Sequence, residues 1–230
     1  MKRIALHVVV LVVGIWLCPP ATAAAIETNA VVTAWLGSQA SIRTLTADLI
    51  QTRKLKALAD PLVTKGRLWF EPPDRFRWEL GVPAQTIVVR DGKDLLMISP
   101  RLKRVERYPM DGSAKGPWTD ALSLLESGFP RDAASFHRQY HVRSLAETNG
   151  VFEFRIQPAS PGARRMITGI LLVVGTNDFG LQASELSLAD GSVVRNDFGN
   201  VRLNAKLETN TFAPAITADF KIVEPWKKQP

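Results

Sequence analysis

Turn dipeptides recur along this chain: Asp91-Gly92, Asn149-Gly150 and Asp190-Gly191, with a further turn signal in Asn177 to Gly180. Asn or Asp followed by Gly tolerates the positive φ angles of a tight two-residue hairpin. The flanking segments have period two. Leu45, Ala47 and Leu49 alternate with polar residues, and Phe76, Trp78 and Leu80 alternate with Arg77 and Glu79. Thr86–Arg90 and Asp94–Ile98 flank the Asp91-Gly92 turn. Side chains on a strand point alternately to opposite faces, so these patterns predict half-buried strands. Pro72-Pro73-Asp74 marks another turn, because proline fixes φ and cannot donate into a ladder. Strands joined by such short turns must run antiparallel, and the regularity predicts a long antiparallel meander.

The period changes in two places. Ile26, Ala30, Val31, Ala34 and Trp35 share one face of a helix over residues 26–40. Residues 116–140 interrupt the meander with a helical pattern. Pro117 and Thr119 or Asp120 suit its start, Ala121, Leu122 and Leu125 share a face, and Asp132 suits the cap of a second short helix. The plan is a helix, about five strands, a helical insertion and about five more strands. No linker or repeat divides residues 24–230, which are expected to form one domain.

Residues 1–23 read differently. Lys2 and Arg3 precede an apolar run from Ile4 to Leu17, and Ala21-Thr22-Ala23 provides a small-x-small cleavage site. This is the pattern of a secretory signal peptide. Cys18 admits another reading, in which the chain is cut before that cysteine, acylated and anchored. The preceding Ile15, Trp16 and Leu17 lack the small residue such processing favours. Cleavage after Ala23 removes the single cysteine, and with it disulfide and thiolate chemistry. Losing Lys2 and Arg3 lowers the formal charge from +7 to +5. The remaining basic surface, densest at Arg101–Arg107, suits anionic lipid headgroups or an acidic partner. Export argues against nucleic acid.

Catalytic chemistry is hard to find. His137 and His141 are spaced for one helix face, yet Arg138 stands where a metalloprotease motif needs glutamate and no third ligand is evident. There is no G-x-S-x-G, P-loop or G-x-G-x-x-G pattern. Glu71, Asp74 and Glu79 lie near aromatic residues, but at a turn and on an outward strand face, where a solvated role is expected. No metal or other cofactor is expected. In "GRLWFEPPDRFRWEL" (Gly66–Leu80), alternation sends Phe76 and Trp78 to one face and Arg75 and Arg77 to the other. That separation disfavours a nucleic-acid stacking platform and fits an apolar interior with a wet, basic outer wall.

The G-x-L-W-x-x-x-P-x-x-F-x-W spacing of Gly66, Leu68, Trp69, Pro73, Phe76 and Trp78, with Leu49-x-Gln51 before it and "IVVRDGKDLLMISP" after it, resembles the outer-membrane lipoprotein carrier (LolA-like) family. The resemblance implies an α+β fold: an incomplete, strongly curved antiparallel β-barrel of about ten or eleven strands over helices that form a lid on a hydrophobic cavity. It implies a non-enzymatic periplasmic carrier, acting as a monomer, that takes acylated lipoproteins from an inner-membrane ABC exporter to an outer-membrane receptor. Leu49, Leu68, Phe76, Trp78, Leu122, Leu124 and Leu125 are the candidate cavity lining, with ordinary core packing as the alternative for each. Two departures widen the choice of cargo. The family often has a lid-latching arginine where this chain has Pro72, and the C-terminal part follows the family loosely, with Phe212 and Phe220 as counterparts of its last aromatics. Another acylated cargo, such as a glycolipid or polyene lipid, and an outer-membrane-anchored acceptor of the same fold both stay open.

Overall fold

The structure is a computed structural model that describes residues 28–110, 132–225 and 227. Twelve strands form one sheet: β1 (Leu45–Lys54), β2 (Leu62–Glu71), β3 (Arg75–Leu80), β4 (Thr86–Asp91), β5 (Asp94–Ser99), β6 (Arg104–Pro109), β7 (Tyr140–Thr148), β8 (Val151–Pro158), β9 (Ile167–Gly175), β10 (Leu181–Leu188), β11 (Val193–Leu203) and β12 (Lys221–Val223). Among the described residues three α-helices accompany it: α1 (Thr28–Ala40), α2 (Ala133–Gln139) and the single turn α3 (Pro161–Arg164), with a 3-10 turn at Pro100–Leu102.

Two meanders, β1–β6 and β7–β11, are zipped together by antiparallel pairing of β1 with β11, which aligns Leu45 with Leu203 and Leu49 with Phe198. The sheet is curled but open, with β12 at one edge and β7 at the other. Hairpin chemistry follows the turn signals. Asn149 and Gly150, at φ 51° and 77°, both take the positive values that the tight β7–β8 hairpin requires. The strand count exceeds the expected ten or eleven through β12, three residues that pair in parallel with β6. So short a strand has no room to show an alternation.

The face carrying α1 and α2 is the inner one. Helix α1 buries Val32, Trp35, Leu36 and Gln39, while Ala30 and Ala34 are exposed. The expected face was therefore off by about one position. Alanines satisfied the spacing, but the larger side chains bury more apolar area and set the rotation. Trp35 is fully buried, stacked on Phe154 of β8 at 5.1 Å and edge-on to Phe136 of α2 at 5.7 Å. Asp132 caps α2 as expected, accepting from the Ser135 backbone N–H at 2.7 Å. That bond holds its carboxyl below the usual carboxylate range. Strands β6 and β7 lie near opposite edges of the sheet in its strand order. Leu122, Leu124 and Leu125, expected on a helix between them, lie outside the described residues.

Tyr140, 1% exposed beside Phe136, has a hydroxyl with no partner among the described residues. Burial pushes its phenol above the ordinary 10.0. A raised value means that the folded chain keeps a proton the unfolded chain gives up. This contribution to stability is complete below about pH 10 and is lost as pH rises from there through the folded-state value. Tyr140→Phe is expected to raise stability at pH 8 by about 1 kcal/mol, by removing an unpaired buried hydroxyl, and to flatten the alkaline loss. Urea unfolding at pH 8 and pH 11 checks both effects.

The outer face corrects another expectation. Arg75 and Arg77 point outward, yet they do not form a wet wall. Residues 204–223 run back over that face. The Arg77 side chain, 19% exposed, pairs with Glu79 at 2.6 Å and donates from Nη1 to the Thr211 carbonyl at 3.1 Å. Arg75 lies 4.6 Å above the ring of Phe212, itself 2% exposed. Asn204 accepts from the Arg43 backbone N–H, Thr44 donates to the Ala205 carbonyl, and Lys103 pairs with Asp219. Outward-facing Val89, Ile98 and Val105 on β4–β6 are buried as deeply as inner-face residues. Two-sided burial of this half of the sheet explains why β4 and β5 read as apolar runs.

Candidate functional site

The register places the candidate lining residues of the described sheet on one wall. Leu68 is opposite both Ala47 and Trp78, Phe70 is opposite both Leu45 and Phe76, and Leu49 is opposite Gly66. Leu49, Leu68 and Phe76 are buried, whereas Trp78, Leu80, Val88 and Phe198 are partly exposed beside them on the same cluster. An apolar surface that stays partly accessible after the strands have packed is surface available to a ligand.

Curvature shapes this wall. Trp78 on β3 and Phe198 on β11 are three strand spacings apart, roughly 14 Å in a flat sheet. Their rings nevertheless meet edge to face with centroids 6.4 Å apart. Between them Ala47 and Gly66 occupy inner-face positions where larger side chains would stand in the way. Gly66 has a second reason to be glycine, since a Cβ there would come within 2.2 Å of the Glu79 carbonyl oxygen. The conformational freedom of glycine is not at issue at this position; close strand approach is.

Phe198, Phe70 and Asn196 belong to this wall and were not picked out in the sequence. Phe198 sits among polar residues in "VRNDFGN", where alternation is weak, and only its pairing with Leu49 across 149 positions of chain reveals its place. It packs against two apolar clusters, one on β1–β6 and the other beneath α1 and α2 on β7–β10. Gln51, next to Leu49 on the inner face of β1, is buried and bonded to Asn196.

The residues weighed for catalysis are engaged elsewhere. Glu71 pairs with Arg75, Glu79 pairs with Arg77, and His137 and His141 are exposed. No group of three His, Cys, Asp or Glu side chains among the described residues could hold a metal. Two pockets, of about 700 and 900 Å³, are lined largely by outer-face side chains. The first gathers Ile50, Lys65, Arg67 and Asp197 under the Gly81–Ala84 loop, and the second lies between Arg67, Trp69 and Arg77 and the C-terminal segment. Both linings carry charged side chains, and the first also includes Leu49 and Phe198 of the inner wall. No helix among the described residues is long and apolar enough to cross a membrane, which says nothing of strands.

The family model for the outer membrane lipoprotein carrier protein LolA matches residues 40–215. An outer-membrane lipoprotein carrier protein of Bordetella avium (strain 197N) is 25% identical over 173 residues, covering 75% of this chain and 77% of that protein. One from Chromohalobacter salexigens is 30% identical over 97 residues, 42% of each chain. A solved structure, an uncharacterized conserved protein from Thermus thermophilus, superposes with a TM-score of 0.50 at 10% identity, covering 85% of this chain and 99% of that one, and shares the fold. With the family pattern running through most of an open, curled antiparallel sheet, this chain belongs to the LolA family of outer membrane lipoprotein carriers, whose members are carrier proteins and not enzymes.

Proposed function

We propose that this protein is a periplasmic carrier, exported by residues 1–23, that shelters the acyl chains of lipoproteins against its inner wall. It moves them from an inner-membrane exporter to an outer-membrane receptor. The observation that carries this reading is the apolar wall of β1–β3 and β11, built from Leu49, Leu68 and Phe76 and left partly open at Trp78 and Phe198. Family membership supports it. The physical need is plain. Exposing a methylene to water costs about 0.8 kcal/mol, so two or three long acyl chains crossing an aqueous space bare would cost on the order of tens of kcal/mol. A carrier must cover the chains and later give them up, which favours many adaptable apolar contacts over one tight pocket.

Pro72 favours a second cargo class within the same reading. It lies in the β2–β3 turn where the resemblance places a lid-latching arginine, and proline has no backbone N–H and no side-chain donor. A carrier lacking that latch suits a different acylated lipid. Adding the purified protein to inner-membrane vesicles that hold labelled lipoprotein tests the main reading. Lipoprotein is expected in the supernatant as a complex with the carrier. Release of glycolipid instead would favour the second cargo, and release of neither would reject both.

A further inference from the structure

A polar band crosses this apolar wall. The register aligns Thr64, Gln51, Asn196 and Ser184 on the neighbouring strands β2, β1, β11 and β10. Gln51 donates from Nε2 to Asn196 Oδ1 at 3.0 Å, and Asn196 donates from Nδ2 to Ser184 Oγ at 3.3 Å. Gln51 and Asn196 are 9% and 5% exposed. The row on one side holds Leu49 and Phe198, and the row on the other holds Val194 and Leu186. Arg53 is the next inner-face residue after Gln51 on β1, and its Nε is buried with no acceptor among the described residues.

Strand register alone does not call for this band. The backbone already pairs β1 with β11 from Leu45 to Lys54, and apolar side chains at these positions would avoid the cost of desolvating two amides. Its unused donors are informative. After the bonds within the band, each amide nitrogen keeps a second N–H, Ser184 keeps its hydroxyl proton, and Arg53 keeps its Nε–H, beside the Gln51 Oε1 acceptor. Unused donors on an apolar wall suit a ligand group that accepts, and pockets for apolar ligands orient them by a few such polar contacts. Hydrocarbon tails offer no acceptor. The ester or amide carbonyls that join acyl chains to a head group do.

We propose that Gln51, Asn196 and Ser184, with Arg53 in the next row beside Val194, seat the acyl carbonyls of the cargo and so fix how deeply its chains lie along the wall. This rests on the acyl-carrier reading above. The test uses two short-chain probes of equal length: an S-glyceryl-cysteine lipopeptide with two ester-linked chains, and its twin with two ether-linked chains. Calorimetric affinities of the full chain are compared. The wild type is expected to prefer the diester by about tenfold, the worth of one or two hydrogen bonds to carbonyls. Gln51→Leu is expected to bring that ratio close to one by weakening the diester. Ser184→Ala, which leaves the Gln51–Asn196 bond in place, is expected to reduce it about threefold. Equal wild-type affinities, or equal weakening of both probes by Gln51→Leu, would overturn the proposal while leaving the carrier reading intact. Binding of neither probe would overturn both. Should Gln51→Leu fail to fold, the wild-type ratio and Ser184→Ala decide.

Discussion

Replacing Trp35 with alanine is expected to lower the stability of this protein by about 3–5 kcal/mol, a large part of the roughly 5–15 kcal/mol that holds a domain together. Trp35 is fully buried where α1, α2 and β8 meet, and its ring contacts both Phe136 and Phe154. Helix α1 has little else to hold it: Val32, Leu36 and Gln39 complete its buried set, and α1 and α2 touch over a small area. The truncation leaves a cavity among rings that cannot collapse around it without moving a helix. Urea unfolding followed by far-ultraviolet circular dichroism measures the loss. A cost under about 1 kcal/mol would mean that the α1 packing described above is wrong.

Phe212→Ala is expected to have a similar effect on the opposite face, also about 3–5 kcal/mol, although Phe212 lies in a segment without regular secondary structure. Its ring is 2% exposed and has the Arg75 guanidinium above it, a contact worth up to about 1 kcal/mol of the total. Loss of this anchor loosens residues 204–223 from Arg75 and Arg77. The same unfolding experiment separates two pictures of the outer wall. If the wall were wet and basic, with the C-terminal segment lying loosely on it, the substitution would change stability by less than about 0.5 kcal/mol. Lipid binding by the folded fraction should not change, because Phe212 is absent from the inner wall.

The contrast between these two residues shows what could be read from the chain. The meander was legible because hairpin turns are local: Asn149-Gly150 and Asp91-Gly92 announce themselves within two residues. Strand faces were legible wherever alternation was strict, and for that reason the shared face of Leu49, Leu68, Phe76 and Trp78 could be read in advance of the register that aligns them. What failed depended on contacts between distant segments. Arg75 and Arg77 were assigned to solvent because alternation gives a face and does not say what covers it. Strand β12 and the Leu49–Phe198 pairing join positions far apart in the chain, and neither leaves a local trace. The rotation of α1 differs from the expected one because small alanines and large aliphatic residues count equally in a periodicity, whereas burial weighs them by area. For the site, the apolar residues were visible and the polar band was not, since a buried glutamine and asparagine look like surface residues until the register sets them side by side.

Mass spectrometry of the organic extract of this protein, purified without detergent from its native cells, reads directly whether acyl chains occupy the inner wall. The expected result is acylated lipoprotein, recovered as di- or triacylated N-terminal cysteine peptides in near-stoichiometric amount and lost when Trp78→Glu places a charge on the wall. An extract free of acyl chains, from protein that is folded and freshly isolated, would mean that the inner wall does not carry them.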